Sequence, residues 1–204
     1  MQQAMAVLST THADLKSLIT DLQFPTAEWD EKWMDEYLDD TVKLSDICLA
    51  LNVEISKLEY FQLLVHYAVH LLDFSDGVWS NDKLFHVKGS LQELKEKMDS
   101  KGKNGANTQR NSRIENCMVI LQHMSKSLQF GKVKSSSKGS VFLRAMYGVK
   151  VTTIFLCSVV ASALARHSSP LIELHIPDQF LWSTAFMSLQ RGINDEIKRC
   201  FANG

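Results

Sequence analysis

The chain has 204 residues, of which 45% are hydrophobic and 22% charged, with a formal net charge of −1. These values exclude the low-hydrophobicity, high-charge profile of a disordered chain, and the length suits one ordinary domain. With only three prolines and nine glycines, the sequence has too few breakers for a strand-rich fold with many turns. We therefore predict a single helical domain over residues 1–204.

The first half of the chain predicts four helices. The first helix is indicated by five residues that recur at steps of three and four, which places them on one helical face that ends before Pro25. They are Leu8, Thr11, Leu15, Leu18 and Leu22. The same period runs through 27–72, which is long for one globular helix, so we predict two helices, 27–57 and 60–72, with a bend or break near 58–61. After a turn at Gly77, apolar positions from Leu84 to Met98 predict the next helix.

The second half alternates loops and helices. Residues 99–112 and 131–140 lack apolar periodicity and predict mobile loops. Ser112, with Glu115 three residues later, has the pattern of a capping box and predicts the start of a helix. Residues 141–165 predict the most apolar helix, and Pro177 with Asp178 predicts the start of the last one. The fold class is therefore predicted to be all-α, a bundle of about six helices that are mostly antiparallel neighbours.

The four cysteines indicate a reducing compartment. Cys48, Cys117, Cys157 and Cys200 lie in apolar runs and form no Cys-x-x-Cys pair, so we predict buried, reduced thiols and not disulfides or a zinc site. The first residues show neither a basic leader nor a long apolar stretch, so no signal peptide is visible. The prediction is an intracellular protein, either cytoplasmic or membrane-associated, and targeting to an organelle is left open.

Charge is distributed unevenly along the chain. Ten acidic residues against three lysines give residues 14–46 a charge of −7, whereas 116–172 contains seven basic residues and no acidic one. The two windows either face one another or solvent, or the basic one meets an anionic membrane surface. The candidate contacts for that second interpretation are Lys132, Lys134, Lys138, Arg144 and Lys150. Nothing in the pattern favours nucleic acid as a partner.

The apolar segment inside the basic window favours a core helix over a membrane span. Residues 151–165 are fifteen uncharged residues, whereas a spanning helix needs about 20. The hydroxyl-bearing residues within the segment suit close helix packing better than lipid.

One cluster has the spacing of metal ligands. His66 and His70 lie four residues apart and Asp73 follows three later, so all three would project from one side of a helix. Tyr67, however, stands where a zinc protease has its glutamate, and the neighbouring apolar residues suit packing equally well. We therefore predict no metal, no cofactor and no catalytic residue, and hence no enzymatic activity. The Lys/Ser stretch 131–140 lacks the spacing of a phosphate-binding loop.

Two sets of apolar residues are candidates for binding other proteins. Trp29 and Trp33 lie one turn apart in an acidic stretch and would be partner-binding anchors if exposed. The last helix carries a long apolar stripe that predicts self-association, formed by Trp182, Phe186, Leu189, Ile193 and Ile197.

Several segments resemble the plant BYPASS family. They include the run from Thr11 to Leu22, the Trp-Asp-Glu-Lys-Trp run at 29–33, the Arg-Ile-Glu-Asn-Cys run at 113–117 and, most specifically, Arg-Ala-Met-Tyr-Gly-Val-Lys-Val at 144–151. The resemblance extends over nearly the whole chain, which looks like a short or truncated member.

The resemblance implies a function in plant development. It implies a helical regulatory or scaffolding protein, not an enzyme, that is needed for normal root and shoot growth and restrains a mobile root-derived signal. The alternative is a small-molecule-binding protein or an enzyme that acts on a hydrophobic signal precursor. In that case an apolar cavity lined by residues 141–165 and 182–197 would hold the ligand.

Overall fold

The computed structural model describes residues 2–22, 31–72, 81–99, 106–128, 130, 137–165 and 171–202. Within these residues the regular secondary structure is α-helical, and no strand occurs. The six helices are α1 (Gln2–Leu22), α2 (Glu31–Leu72), α3 (Asn81–Asp99), α4 (Ala106–Lys126), α5 (Ser137–Leu164) and α6 (Ser183–Ala202). The prediction of an all-α helical bundle is confirmed.

The prediction of two helices with a break near 58–61 is wrong, because α2 is one continuous helix of 42 residues; the alternative, a bend there, stays a prediction. The helix contains neither glycine nor proline, so no residue in it lacks a backbone N–H or has the backbone freedom of glycine. A long periodic run without a breaker therefore indicated one helix here, not two.

Three other predicted boundaries are shifted. The helix α4 begins at Ala106, so the predicted start at Ser112 is wrong and the second half of the predicted loop 99–112 is helical. Gly105 directly precedes this start, and neither glycine nor proline follows within α4. The helix α5 begins at Ser137, inside the predicted loop 131–140. The predicted start of the last helix at Pro177 is also wrong, because two successive turns precede α6.

The chain divides into two compact units, and each is described by itself. Unit 1 comprises residues 1–47 and 115–204, and unit 2 comprises residues 48–114. The single domain over residues 1–204 stays a prediction.

The core of unit 1 is built on α5. Val151, Ile154 and Ala161 on this helix are completely buried. The helix α1 packs along it: His12 Nε2 lies 3.3 Å from Thr153 Oγ1, and Lys138 Nζ donates to the carbonyl of Leu22 at 3.0 Å. Because the end of α1 meets the start of α5, these two helices are antiparallel, as predicted.

A short segment before α6, residues 171–176, is held against that helix in unit 1. Ile172, Leu174 and Ile176 are buried, and the residues between them are exposed. The buried side chain of Gln190 on α6 serves both backbone groups of Leu174. Its amide oxygen accepts from Leu174 N–H at 3.1 Å, and its amide nitrogen donates to Leu174 C=O at 3.4 Å. The amide thus satisfies the buried backbone N–H and C=O of Leu174, which regular secondary structure does not pair.

An aromatic cluster completes unit 1 at the turns before α6. The ring of Phe180 stacks on Tyr147 of α5 with centroids 4.9 Å apart, and Phe130 meets Phe180 edge-on at 5.1 Å. The ring centroids of Trp182 and Phe180 are 5.3 Å apart. Burial raises the pKa of Tyr147, whose hydroxyl donates to the carbonyl of His175 at 3.4 Å. The buried ring of Phe180 thus fixes the turns where a continued helix was predicted.

Unit 2 contains the second half of α2, all of α3 and the start of α4. Its helices are joined by a hydrogen bond from the Tyr60 hydroxyl on α2 to the Glu93 carboxylate on α3, at 2.5 Å. Leu51 and Ala68 on α2 and Val87 on α3 are buried. These contacts make α2 and α3 the framework of the unit.

Candidate functional site

Four of the predicted site residues fall outside the described residues: Trp29, Asp73, Lys132 and Lys134. Trp33 lies in α2, but its side chain is not among those described. The predictions that rest on these five residues stay predictions.

Two of the lysines that were predicted to contact an anionic surface bond to other residues within unit 1. Lys138 donates to the last turn of α1, where a cation satisfies a free carbonyl and complements the helix dipole. Lys150 forms an ion pair with Asp40 of α2 at 2.6 Å and also donates to Ser127 at 3.2 Å. Arg144, in contrast, is exposed on α5. The acidic and basic windows of the sequence therefore meet at the pair of Asp40 and Lys150.

We expect the pair of Lys150 and Asp40 to contribute measurably to stability. Its side chains are 19% and 20% exposed, so water screens it less than a surface pair. A double-mutant cycle with Lys150→Met and Asp40→Asn should give a coupling energy of about 1 kcal/mol in urea unfolding. The matched control is the pair of Lys43 and Asp39, whose aspartate is 63% exposed, with an expected coupling below about 0.5 kcal/mol. A coupling energy of Lys150 and Asp40 no larger than that of the control pair would contradict this expectation.

The histidines of the predicted metal cluster are both exposed on α2. Among the described residues, no group of three His, Cys, Asp or Glu side chains is arranged to hold a metal ion. Because Asp73 lies outside those residues, the absence of a metal stays a prediction, which elemental analysis of the purified protein tests.

The four thiols differ in burial. Cys117 and Cys157 are buried, whereas Cys48 is half-buried and Cys200 is exposed near the end of α6. The prediction of a buried thiol is therefore wrong for Cys200, because the apolar run around it lies on a helix that buries only one side. Burial raises the pKa of the Cys48 thiol, which disfavours the reactive thiolate.

An exposed apolar surface of unit 2 lies on α2. Its residues follow each other at alternating steps of four and three, which is the heptad spacing of a coiled-coil seam. They are Leu49, Val53, Ser56, Tyr60, Leu63 and Tyr67. Leu49 and Leu63 are 64% and 65% exposed, and Val53 and Tyr67 are 41% and 44% exposed. We call this set the heptad face.

The predicted self-association stripe on α6 is only partly exposed. Leu189 is 52% exposed, whereas Phe186 is half-buried with its ring 5.0 Å from that of Phe155 on α5. Trp182, Ile193 and Ile197 are also half-buried. Packing in unit 1 therefore uses part of the stripe.

Self-association through the outer part of α6 stays a prediction. We expect light scattering at high micromolar concentration to show a dimer that Ile193→Lys or Ile197→Lys dissociates, because each places a charge in the apolar contact. Thr184→Lys, at an exposed position of the same helix, is the control and should leave the dimer intact. A wild-type chain that is monomeric at this concentration would contradict the prediction.

Within the part of the chain that the structure describes, one helix is long and apolar enough to cross a membrane by length and composition, namely residues Lys138–Leu164 of α5. Its most apolar stretch is 61% buried within the protein. A core helix of a soluble protein has the same properties, and the packing of α1 along α5 favours that assignment.

Comparisons with known proteins give close relatives in plants. The chain is 40% identical over all of its 204 residues to UPF0496 protein 4 of Oryza sativa subsp. japonica, and these residues cover 43% of that protein. It is 40% identical over 201 residues, 98% of its length, to Protein BPS1, chloroplastic, of Arabidopsis thaliana, and covers 54% of it. The chain belongs to the BYPASS family. It spans about half the length of these curated relatives. No family model matches the chain, and no solved structure matches it.

Sequence reasoning missed three features of this BYPASS-family chain. The heptad face was not singled out, although its alternating steps of four and three could have indicated a separate seam on α2. Gln190 lies four residues after Phe186 and three before Ile193 on α6, and an amide beside such apolar positions often serves buried backbone groups. No sequence pattern indicated that Leu181 is exposed, because its exposure depends on the turns before α6.

Proposed function

We propose that the chain is a regulatory or scaffolding protein of plant root and shoot development and not an enzyme. In this proposal it takes part in restraining a mobile root-derived signal by holding partner proteins on its helices. The kinship with Protein BPS1 and UPF0496 protein 4 supports the developmental setting. The name of BPS1 gives the chloroplast as the location of that relative, and we propose a plastid location for this chain as well.

The observation that carries the proposal is the heptad face of unit 2. Four side chains of this face, Leu49, Val53, Leu63 and Tyr67, are apolar and exposed and lose contact with water when another helix packs on them, knobs into holes. Of the other two, Ser56 is polar, and Tyr60 is half-buried with its hydroxyl bonded to Glu93 of α3. Full burial of a leucine contributes about 1.5–3 kcal/mol. Leu49 and Leu63 are each about two-thirds exposed. Burial of these two side chains alone therefore contributes substantially to the free energy of binding a partner helix. The partner in this proposal is an amphipathic helix of another protein.

Growth rescue in plants that lack the endogenous protein tests this function. The wild-type chain should restore root and shoot growth, and the variant Leu63→Lys should fail. The matched control is Val69→Lys. Val69 is 60% exposed, close to the 65% of Leu63, but lies about 120° around the helix from it. Rescue by Val69→Lys and not by Leu63→Lys supports the proposal, and equal rescue by both variants contradicts it.

A tagged full-length protein allows the proposed location to be tested separately. Fractionation of leaf tissue should recover it with intact plastids, protected from added protease. Recovery only outside plastids would contradict the plastid location without affecting the proposed binding function.

A further inference from the structure

A single leucine protrudes from unit 1 at the turns before α6. Leu181 is completely exposed, although Phe180 before it is buried and Trp182 after it is half-buried. Hydrogen bonds hold the backbone on both sides of it, from Phe180 N–H to Pro177 C=O at 3.1 Å and from Ser183 N–H to Phe180 C=O at 3.0 Å. The turn therefore presents an apolar side chain to solvent from a fixed backbone.

The residue beside Leu181 suits the interface between water and lipid. Trp182 is half-buried, with its ring 5.3 Å from Phe180 and 5.8 Å from Phe186. One part of the indole is thus anchored in the aromatic cluster and the rest is accessible. Tryptophan is enriched at the headgroup level of membranes, because its ring is amphipathic. A protruding leucine next to such a ring is an arrangement that can enter the outer layer of a bilayer.

The elements that hold this turn carry exposed positive charge. Lys126 is exposed at the end of α4, next to Ser127, whose hydroxyl accepts from Lys150 of α5. Arg144 is exposed on α5, one turn before Tyr147, whose ring stacks on Phe180. The acidic residues of the segment that leads into the turn and of the turn itself are Glu173 and Asp178, both exposed. Positions 116–182 contain seven basic and two acidic residues, so the balance of charge along this part of the chain is positive and complements an anionic surface.

We propose that the turn around Leu181 is a contact site for an anionic phospholipid membrane. Leu181 enters the apolar layer, Trp182 lies at the level of the headgroups, and Lys126 and Arg144 contact lipid phosphates. The helix α5 stays in the protein core in this arrangement, so the contact is peripheral. The inference goes beyond the proposed partner binding and is independent of it, because the heptad face belongs to unit 2.

Co-sedimentation of the full chain with lipid vesicles tests the contact. Vesicles of equimolar phosphatidylcholine and phosphatidylserine should bind the chain at low salt and bind it more weakly at physiological salt, and vesicles of phosphatidylcholine alone should not. Leu181→Ser should weaken binding about tenfold, because the apolar side chain no longer enters the bilayer. Lys126→Gln combined with Arg144→Gln should also weaken it about tenfold.

The control is Leu38→Ser, at a leucine of α2 in the same unit that is also exposed, which should bind like the wild type. Circular dichroism should show unchanged helicity in every variant, because all four substituted side chains are exposed. The proposal is overturned by absence of binding, by equal binding to vesicles without phosphatidylserine, or by equal losses in Leu181→Ser and Leu38→Ser. It is also overturned if Leu181→Ser only dissociates a dimer of the chain, since a second copy then covers this turn.

Discussion

The variant Ile154→Asp should lose its cooperative unfolding transition and aggregate. Ile154 lies in the middle of α5 and is completely buried. A carboxylate there would lose its hydration without gaining a partner, which costs at least about 4 kcal/mol. That cost is comparable to the whole stability of an ordinary domain, about 5–15 kcal/mol. Thermal denaturation followed by circular dichroism measures the effect.

The matched control for this prediction is Val141→Asp on the same helix. Val141 is 49% exposed and lies in the first turns of α5, where a negative charge is favourable. Its melting transition should stay within a few degrees of the wild type. A folded Ile154→Asp protein with a normal transition, released from a membrane fraction that holds the wild type, would show that α5 is a membrane segment and not the core of unit 1.

The second large effect is expected for Gln190→Leu. The leucine fills a similar volume but leaves the buried N–H and C=O groups of Leu174 without their partners in α6. Each such group costs about 1–3 kcal/mol, so the free energy of unfolding should fall by roughly 2–5 kcal/mol. Urea denaturation measures the loss. Hydrogen exchange should show that the Leu174 amide loses its protection.

Two further variants separate this effect from a general loss of packing. Gln190→Glu places a buried carboxylate against the Leu174 C=O, so at neutral pH we expect a loss at least as large as for leucine, and a smaller loss at low pH, where the protonated carboxyl group can donate to that C=O. Gln179→Leu, at an exposed position of the turns, should leave stability unchanged within about 0.5 kcal/mol. If Gln190→Leu is as stable as the wild type, Gln190 does not hold the segment 171–176.

The helices of this chain were predictable from apolar periodicity, but several boundaries were not. Leu8 and Leu15 on α1 and Leu121 on α4 are buried as their spacing indicates. The single helix α2 was missed because its length was weighed more heavily than its lack of glycine and proline. The start of α6 depends on Phe180, whose ring is held by Tyr147, 33 positions earlier in the sequence. The helix propensity of neighbouring residues does not indicate a contact with a residue so distant in the sequence.

The candidate surfaces were less predictable than the fold. The charge windows indicated Lys138 and Lys150 as contacts for a partner, yet both bond within unit 1. A sequence shows that a charge exists but not whether the fold neutralises it. The exposure of Leu63 and Leu181 likewise depends on which neighbouring elements pack against their side of the unit, and such information is not local.

Site-specific photocrosslinking in plant cells tests the heptad face most directly. A photoreactive amino acid at position 63 should form a covalent adduct with another protein, and the peptide in the adduct should come from an amphipathic helix. The same group at position 69, similarly accessible on the other side of α2, should not form this adduct. An adduct at both positions, or none at position 63 in cells where the wild-type chain restores growth, would contradict the binding of a partner helix at the heptad face.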